Sequence, residues 1–231
     1  MAYTVASLLT LFRSEVDDTA TPYLWSDTEF FQYLNEAQKE FARETRCFKD
    51  SVTKSVCESR VRANISYADI DERIIDIRRA QLASASKPLS VYNMNEMDAA
   101  FVQGDYGNEL AVDWTTSTGT PRIIIKDVTK DKVQLVPQPT VDDTLKMWVI
   151  RLPLDEILSD KSSLEISEST HQLLLLDYVK FRAYSKNDAD TYDPDQASKY
   201  EGAFYGKLRT MVKPEFAKKT RRPATVRYGG I

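Results

Sequence analysis

The sequence predicts an α+β fold in which helices from both ends of the chain form one bundle around an inserted small antiparallel β domain, and three features carry that expectation. Apolar residues recur at helical spacing through the first 46 residues and again between Glu168 and Met211. Between them, from about Ser51 to Leu152, β-branched clusters alternate with turn residues. Beyond Pro214 no period remains and basic residues accumulate. The expected division is an N-terminal helical hairpin at 1–50, the β domain at 51–152, helices completing the bundle at 153–213, and an extended basic arm at 214–231.

Val5, Leu8, Leu9, Phe12 and Val16 form the stripe of a first amphipathic helix, with Thr4 as its cap and an end near Asp17-Asp18. After Pro22, Ser26-Asp27-Thr28-Glu29 reads as a capping box, and Trp25 stands where a hydrophobic staple would pack on Phe30. Phe30, Leu34, Ala37 and Phe41 continue one apolar face. In the middle region, Arg73 to Leu82, Pro121 to Lys126, Val133 to Val136 and Leu145 to Leu152 read as strands, with Thr129-Lys130-Asp131-Lys132 as a hairpin connection. Met94 to Phe101 reads as a short helix and Gly104-Asp105-Tyr106-Gly107 as a turn. A third long helix is expected over Glu168 to Tyr184. A fourth begins at Asp193-Pro194-Asp195-Gln196, which offers a cap, a proline at the first helical position and a Gln at the third, and is expected to stop at Pro214. Two helical hairpins cannot each bury a full stripe alone, so packing them on one another is the economical arrangement.

With 231 residues, 42% apolar and 29% charged, the chain has the composition of a folded globular protein. Its longest strictly apolar run, Leu173 to Leu176, is far too short to cross a bilayer, so no membrane partner is expected. The first residues lack a secretory pattern, which predicts a protein that stays in the cytosol of the cell making it. Two cysteines, Cys47 and Cys57, fit neither a disulfide scaffold nor zinc-ligand spacing and read as reduced structural thiols. Charge is uneven. From Lys207 onward eight basic residues face Glu215 alone, a segment of +7 attached to a remainder of −11. That split suggests docking against a surface of opposite sign or an arm for nucleic acid.

Catalytic and metal chemistry find little support in the residues. His171 is the only histidine and sits at a helix start, where a structural role suffices. Asp188, Asp190, Asp193 and Asp195 resemble a calcium loop, but the sixth and twelfth positions hold Asp193 and Lys199 instead of Gly and Glu, so a turn capping the next helix explains them better. No phosphate-cradling glycine loop, nucleophile elbow, zincin helix or kinase signature is present. Asp142-Asp143 reads as loop solvation. No catalytic residue, cofactor or metal is therefore expected, and the reading is of a non-enzyme. The arm is the chemically distinctive segment. Lys218, Lys219, Arg221 and Arg222 suit phosphates, which keeps open a nucleic-acid-binding module as the alternative. Thr225-Val226-Arg227-Tyr228 has strand propensity without a partner in the chain, as a segment does when it adds to another protein's sheet.

Several tracts together resemble phage head-to-tail adaptor (connector) proteins, of the kind typified by the tail tubular protein A of short-tailed phages. They are Leu8 to Arg13 through Asp17-Asp18, Pro22 to Asp27, Tyr33 to Gln38, Trp114, Gly119-Thr120-Pro121, Val136 to Pro139, Arg151 to Pro153, Asp188 to Pro194 and Tyr228-Gly229-Gly230. The resemblance implies a structural virion protein at the head-tail interface, found in host cytoplasm before assembly. It implies a ring, typically of twelve subunits, between portal and tail nozzle, passing double-stranded DNA without sequence-specific binding. In that family the helical bundle forms the ring, the β domain faces the tail, and the C-terminal arm reaches the portal. Arm chemistry alone marks Arg221, Arg222, Val226, Arg227 and Tyr228 as the expected portal contacts, and the acidic remainder would line a channel that repels DNA.

Overall fold

A computed structural model describes residues 2–97 and 116–219, with side chains as far as Met211. The expected turn at Gly104 to Gly107, the second half of the short helix expected at Met94 to Phe101, and residues 220–231 lie outside it. The chain divides into two compact units, one built from residues up to Thr45 and from Pro153 onward, the other from Arg46 to Leu152.

The first unit is helical: α1 (Val5–Glu15), α2 (Asp27–Thr45), α5 (Ser169–Tyr184) and α6 (Pro194–Lys219). Thr4 caps α1 reciprocally, its Oγ1 accepting from Ser7 N at 3.2 Å while Ser7 Oγ accepts from Thr4 N at 2.9 Å. At the start of α2, Glu29 Oε2 accepts from Ser26 N and from Ser26 Oγ, both at 2.9 Å, and Ser26 Oγ accepts from Glu29 N at 3.3 Å. Asp193 Oδ1 caps α6, accepting from Asp195 N at 3.1 Å and Gln196 N at 3.0 Å. Each cap satisfies N–H groups that a helix start would leave unpaired. α5 packs against α1, α2 and α6, and α2 also meets α6. Trp25 and Phe30 both pack on Phe12, at ring distances of 5.8 and 5.3 Å, so the staple closes through a third ring. Phe41, Leu175, Val179 and Phe204 extend the core.

Contrary to expectation, α6 runs through Pro214 to Lys219. A helix-interior proline costs about 3 kcal/mol because it lacks an N–H and crowds the preceding turn. The residues after it, Glu215 to Lys219, are mostly strong helix formers, which favours resuming the helix.

The second unit holds β1 (Lys49–Asp50), α3 (Lys54–Cys57), β2 (Glu58–Val61), β3 (Tyr67–Asp69), β4 (Ile74–Leu82), β5 (Ser90–Asn93), α4 (94–97 within the described residues), β6 (Thr118–Gly119), β7 (Ile123–Thr129), β8 (Lys132–Val136), β9 (Gln138–Pro139) and β10 (Asp143–Arg151). In one sheet β10 is central, antiparallel to β4 on one side and to β1 and β2 on the other. The second sheet has the order β3-β8-β7-β5. Its β7–β8 pair is the expected hairpin, closing with Thr129 opposite Lys132 and with Asp131 at φ 60°, a left-handed position that a short polar side chain tolerates. The β domain is not purely antiparallel: β5 pairs β7, and β6 pairs β9, in parallel. The stretch between Asn93 and Ile123 is long enough for the crossover that a parallel pair demands. Leu89 N, just ahead of β5, bonds Ala80 O of β4 at 2.8 Å, and Ser59 Oγ of β2 bonds Asp69 O of β3 at 2.5 Å. One isolated backbone bridge and one side-chain bond thus link the two sheets.

Candidate docking surfaces

One end of the helical unit gathers the α1–α2 and α5–α6 connections. Arg13 Nη1 bonds Asp18 Oδ2 at 3.0 Å, and its Nη2 reaches Asp27 Oδ1 at 2.5 Å and Trp25 O at 3.3 Å. Asp18 accepts in turn from Leu24 N and Trp25 N. Trp25 Nε1 donates to Ala183 O at 3.1 Å, and Asp193 N donates to Tyr184 O at 3.1 Å, so both connections are fastened to the last turn of α5. Lys186 bridges them, 2.8 Å from Glu29 and 3.5 Å from Asp188. Burial works against the Glu29 charge, but Lys186 and the Ser26 donors outweigh it and hold its carboxyl below the usual range. Outside these pairings, Asp17, Asp190 and Asp195 are exposed, and so are the large apolar side chains of Tyr23, Leu24 and Tyr192. This end is acidic and carries exposed rings.

Toward its C-terminus α6 changes sign. Lys207 Nζ bonds Asp177 Oδ2 at 2.6 Å, tying α6 to α5, and Tyr205 donates to Glu40 Oε1 at 3.1 Å, tying it to α2. Burial, with the Glu40 charge, pushes the Tyr205 phenol up to about 12, so it remains a donor. A groove of about 580 Å³ opens here, lined mainly by Tyr3, Leu173, Leu174 and Met211. At 1.5 Å per residue, α6 carries the chain about 39 Å from the acidic end toward the basic segment. The portal contacts expected from the sequence, Arg221, Arg222, Val226, Arg227 and Tyr228, lie beyond the described residues.

The β unit is held by buried ions. Asp50 accepts from Val52 N at 2.9 Å, Thr53 N at 3.1 Å, Thr53 Oγ1 at 2.8 Å and Arg151 Nε at 2.6 Å. Burial opposes its charge, yet these donors keep the carboxyl far below the ordinary range. Burial, together with the same carboxylate, pushes the neighbouring Cys57 thiol up to about 11, consistent with a structural thiol. Asp76 gathers Lys126 at 2.5 Å, Arg78 at 3.5 Å and Arg46 at 3.7 Å. Side chains alternate along β10: Leu145, Met147 and Val149 are buried, while Lys146 and Trp148 face outward. Trp148 is 37% exposed, stands opposite Arg79 of β4, and carries that guanidinium 4.8 Å from its ring centroid. Arg60, opposite Thr144, joins them on the outer face.

The expected loop-solvating pair is more tightly engaged than its sequence suggests. Asp142 accepts from Ala63 N at 2.8 Å and Arg60 Nη2 at 3.1 Å, and Asp143 accepts from Ser84 Oγ at 2.5 Å. His171 lies at the start of α5 with its ring 5.2 Å from that of Phe41 and its Nδ1 3.4 Å from Glu168. Among the described residues no group of three or more His, Cys, Asp or Glu is placed to hold a metal ion, and no helix is long and apolar enough to cross a membrane. Neither cysteine is in a disulfide.

The acidic remainder also resolves by unit. Residues 46–152 contain 15 basic and 15 acidic side chains, so the whole of the −11 belongs to residues 1–45 and 153–206. Sequence reasoning passed over Trp148, although an aromatic on the polar side of an alternating strand was the available signal. Among curated proteins nothing matches the chain. A family model does: that of the SU10 adaptor protein covers residues 3–227, both units and most of the basic segment. With a match over nearly its full length, the chain belongs to the SU10 adaptor protein family.

Proposed function

We propose that this protein is a non-enzymatic structural adaptor of a phage virion, one subunit of a ring that joins the portal to the tail nozzle and conducts double-stranded DNA. The family match over residues 3–227 is the observation that carries this reading. In it the helices form the ring wall, the β unit faces the tail, and the C-terminal segment engages the portal. The +7 of residues 207–231 suits an acidic portal surface, and repetition around a ring, of about twelve copies in similar adaptors, multiplies a modest contact through high effective concentration. The helical residues, at −11, are then the ones suited to line a lumen that repels phosphate, while the neutral β unit is free of that demand. Before assembly the chain resides in the host cytoplasm.

Because α6 continues to Lys219, the discriminating truncation removes only residues 220–231. The truncated chain is expected to keep its far-UV circular dichroism and to lose portal binding in a pull-down. Undiminished binding would remove Arg221, Arg222, Val226, Arg227 and Tyr228 from the contact. The basic segment also favours a second reading, a nucleic-acid-binding module. A titration of duplex DNA without portal separates the two, since phosphate binding weakens steeply between low and moderate salt.

A further inference from the structure

We infer that the acidic, ring-bearing end of the helical unit is the seat of a cationic surface of the tail nozzle. The inference rests on the adaptor reading for the partner, and adds the surface it meets and the chemistry that recognises it. Residues 13–29 and 184–199 supply that end with nine acidic side chains; even counting Lys180, which pairs with Glu15, only four basic ones meet them, a net charge of −5. Charge alone would describe a solvated turn, but here it accompanies apolar area: Tyr23, Leu24 and Tyr192 are 43, 45 and 55% exposed. Their exposure does not come from slack backbone. Leu24 N bonds Asp18 Oδ1 at 2.9 Å, Asp193 N bonds Tyr184 O at 3.1 Å, and Trp25 Nε1 pins the first connection to α5. Groups held in place before contact lose less freedom on binding.

The occupant follows from charge and place. Carboxylates beside exposed rings suit ammonium and guanidinium groups, which lie on an aromatic face while pairing with an acid. Within this end the Arg13 guanidinium already does both, 3.4 Å from the Tyr23 ring centroid and bonded to Asp18 and Asp27. Duplex DNA is repelled by such a surface, and so is an acidic portal of the kind that suits the basic segment. That segment and the acidic end lie at opposite ends of α6, about 39 Å apart. The basic segment of a second copy is engaged with the portal in the same reading, which leaves the nozzle. Docking at the end of the bundle leaves its flanks for the ring wall, with −6 of the −11 outside this end.

Titrating the nozzle protein of the same phage onto full-length chain assembled with portal tests this. One variant carries Asp190→Lys and Asp195→Lys, the other Leu24→Ser and Tyr192→Ser; Asp193, which caps α6, is left alone. Circular dichroism first confirms that each is folded. If one is not, Asp190→Asn with Asp195→Asn replaces the first variant, and Tyr192→Ser alone replaces the second. Each is expected to bind nozzle at least about tenfold more weakly than wild type, and to bind portal and its own copies as wild type does. Nozzle binding at wild-type strength in either variant overturns the inference. So does a loss that falls instead on portal binding or on self-association, which would make portal or a second copy the occupant. Wild-type chain that binds portal but not nozzle overturns it too, whereas wild-type chain that binds neither shows a misidentified adaptor.

Discussion

At the residue scale the β unit depends on one carboxylate that nothing local in the sequence advertises. Asp50 and Arg151 are 101 positions apart, and their side chains are only 7 and 8% exposed. The pair is worth keeping because four donors converge on Asp50, so that desolvation is offset bond by bond. Replacing it by Asn removes the buried carboxylate that Arg151 Nε bonds at 2.6 Å, a loss of about 3 kcal/mol. Asp50→Asn should therefore lower the urea midpoint of the β unit. The pH dependence has a definite sign. The folded carboxyl is depressed, so its contribution is complete above the unfolded carboxylate range, about pH 5, and declines as acid protonates it. Wild type should lose stability below that pH more steeply than the Asn variant; equal slopes would show that Asp50 is not the titrating group.

At the scale of elements, what the sequence made legible was local. Thr4, Ser26 and Asp193 announce helix starts within three or four residues of the N–H groups they satisfy, and the structure finds each in place. Ser26→Ala removes both its acceptor for Glu29 N and its donor to Glu29 Oε2, and should cost about 1 kcal/mol of stability. The Glu29 carboxyl, now holding fewer donors, should titrate higher, as side-chain NMR would register. An unchanged Glu29 titration would mean that Lys186 alone sets it. What the sequence hid depends on distant partners. β5 pairs β7 in parallel because the chain between them permits a crossover, a fact of connection and not of strand pattern. Pro214 reads as a stop by itself, yet the helix formers after it carry α6 onward. The partner of Trp148 is legible only once the register places it opposite Arg79 on the outward side of β10.

At the scale of the whole molecule, the β unit is an insertion whose two ends meet. β1, three residues after its beginning, pairs near the end of β10: Lys49 stands opposite Ile150 and Asp50 opposite Val149. Arg151 N also donates to Phe48 O at 3.0 Å. The chain therefore enters and leaves this unit at neighbouring points, and the Asp50–Arg151 pair fastens the neck from inside. A unit closed in this way has its own core, in which Ile124, Ile125, Leu135, Leu145 and Met147 are fully buried, and needs no covalent help from the helices. Residues 46–152 expressed alone should fold to a cooperative unit, with near-UV circular dichroism and a single urea transition. Equal numbers of acidic and basic residues further imply that this fragment's midpoint changes little with salt, whereas the full chain, with −11 in its helical residues, gains stability as salt screens their repulsion. A fragment with secondary structure but no near-UV signal or cooperative transition would show that the insertion borrows its order from the rest of the chain. In that case residues 46–152 would not be a separately stable part of the chain.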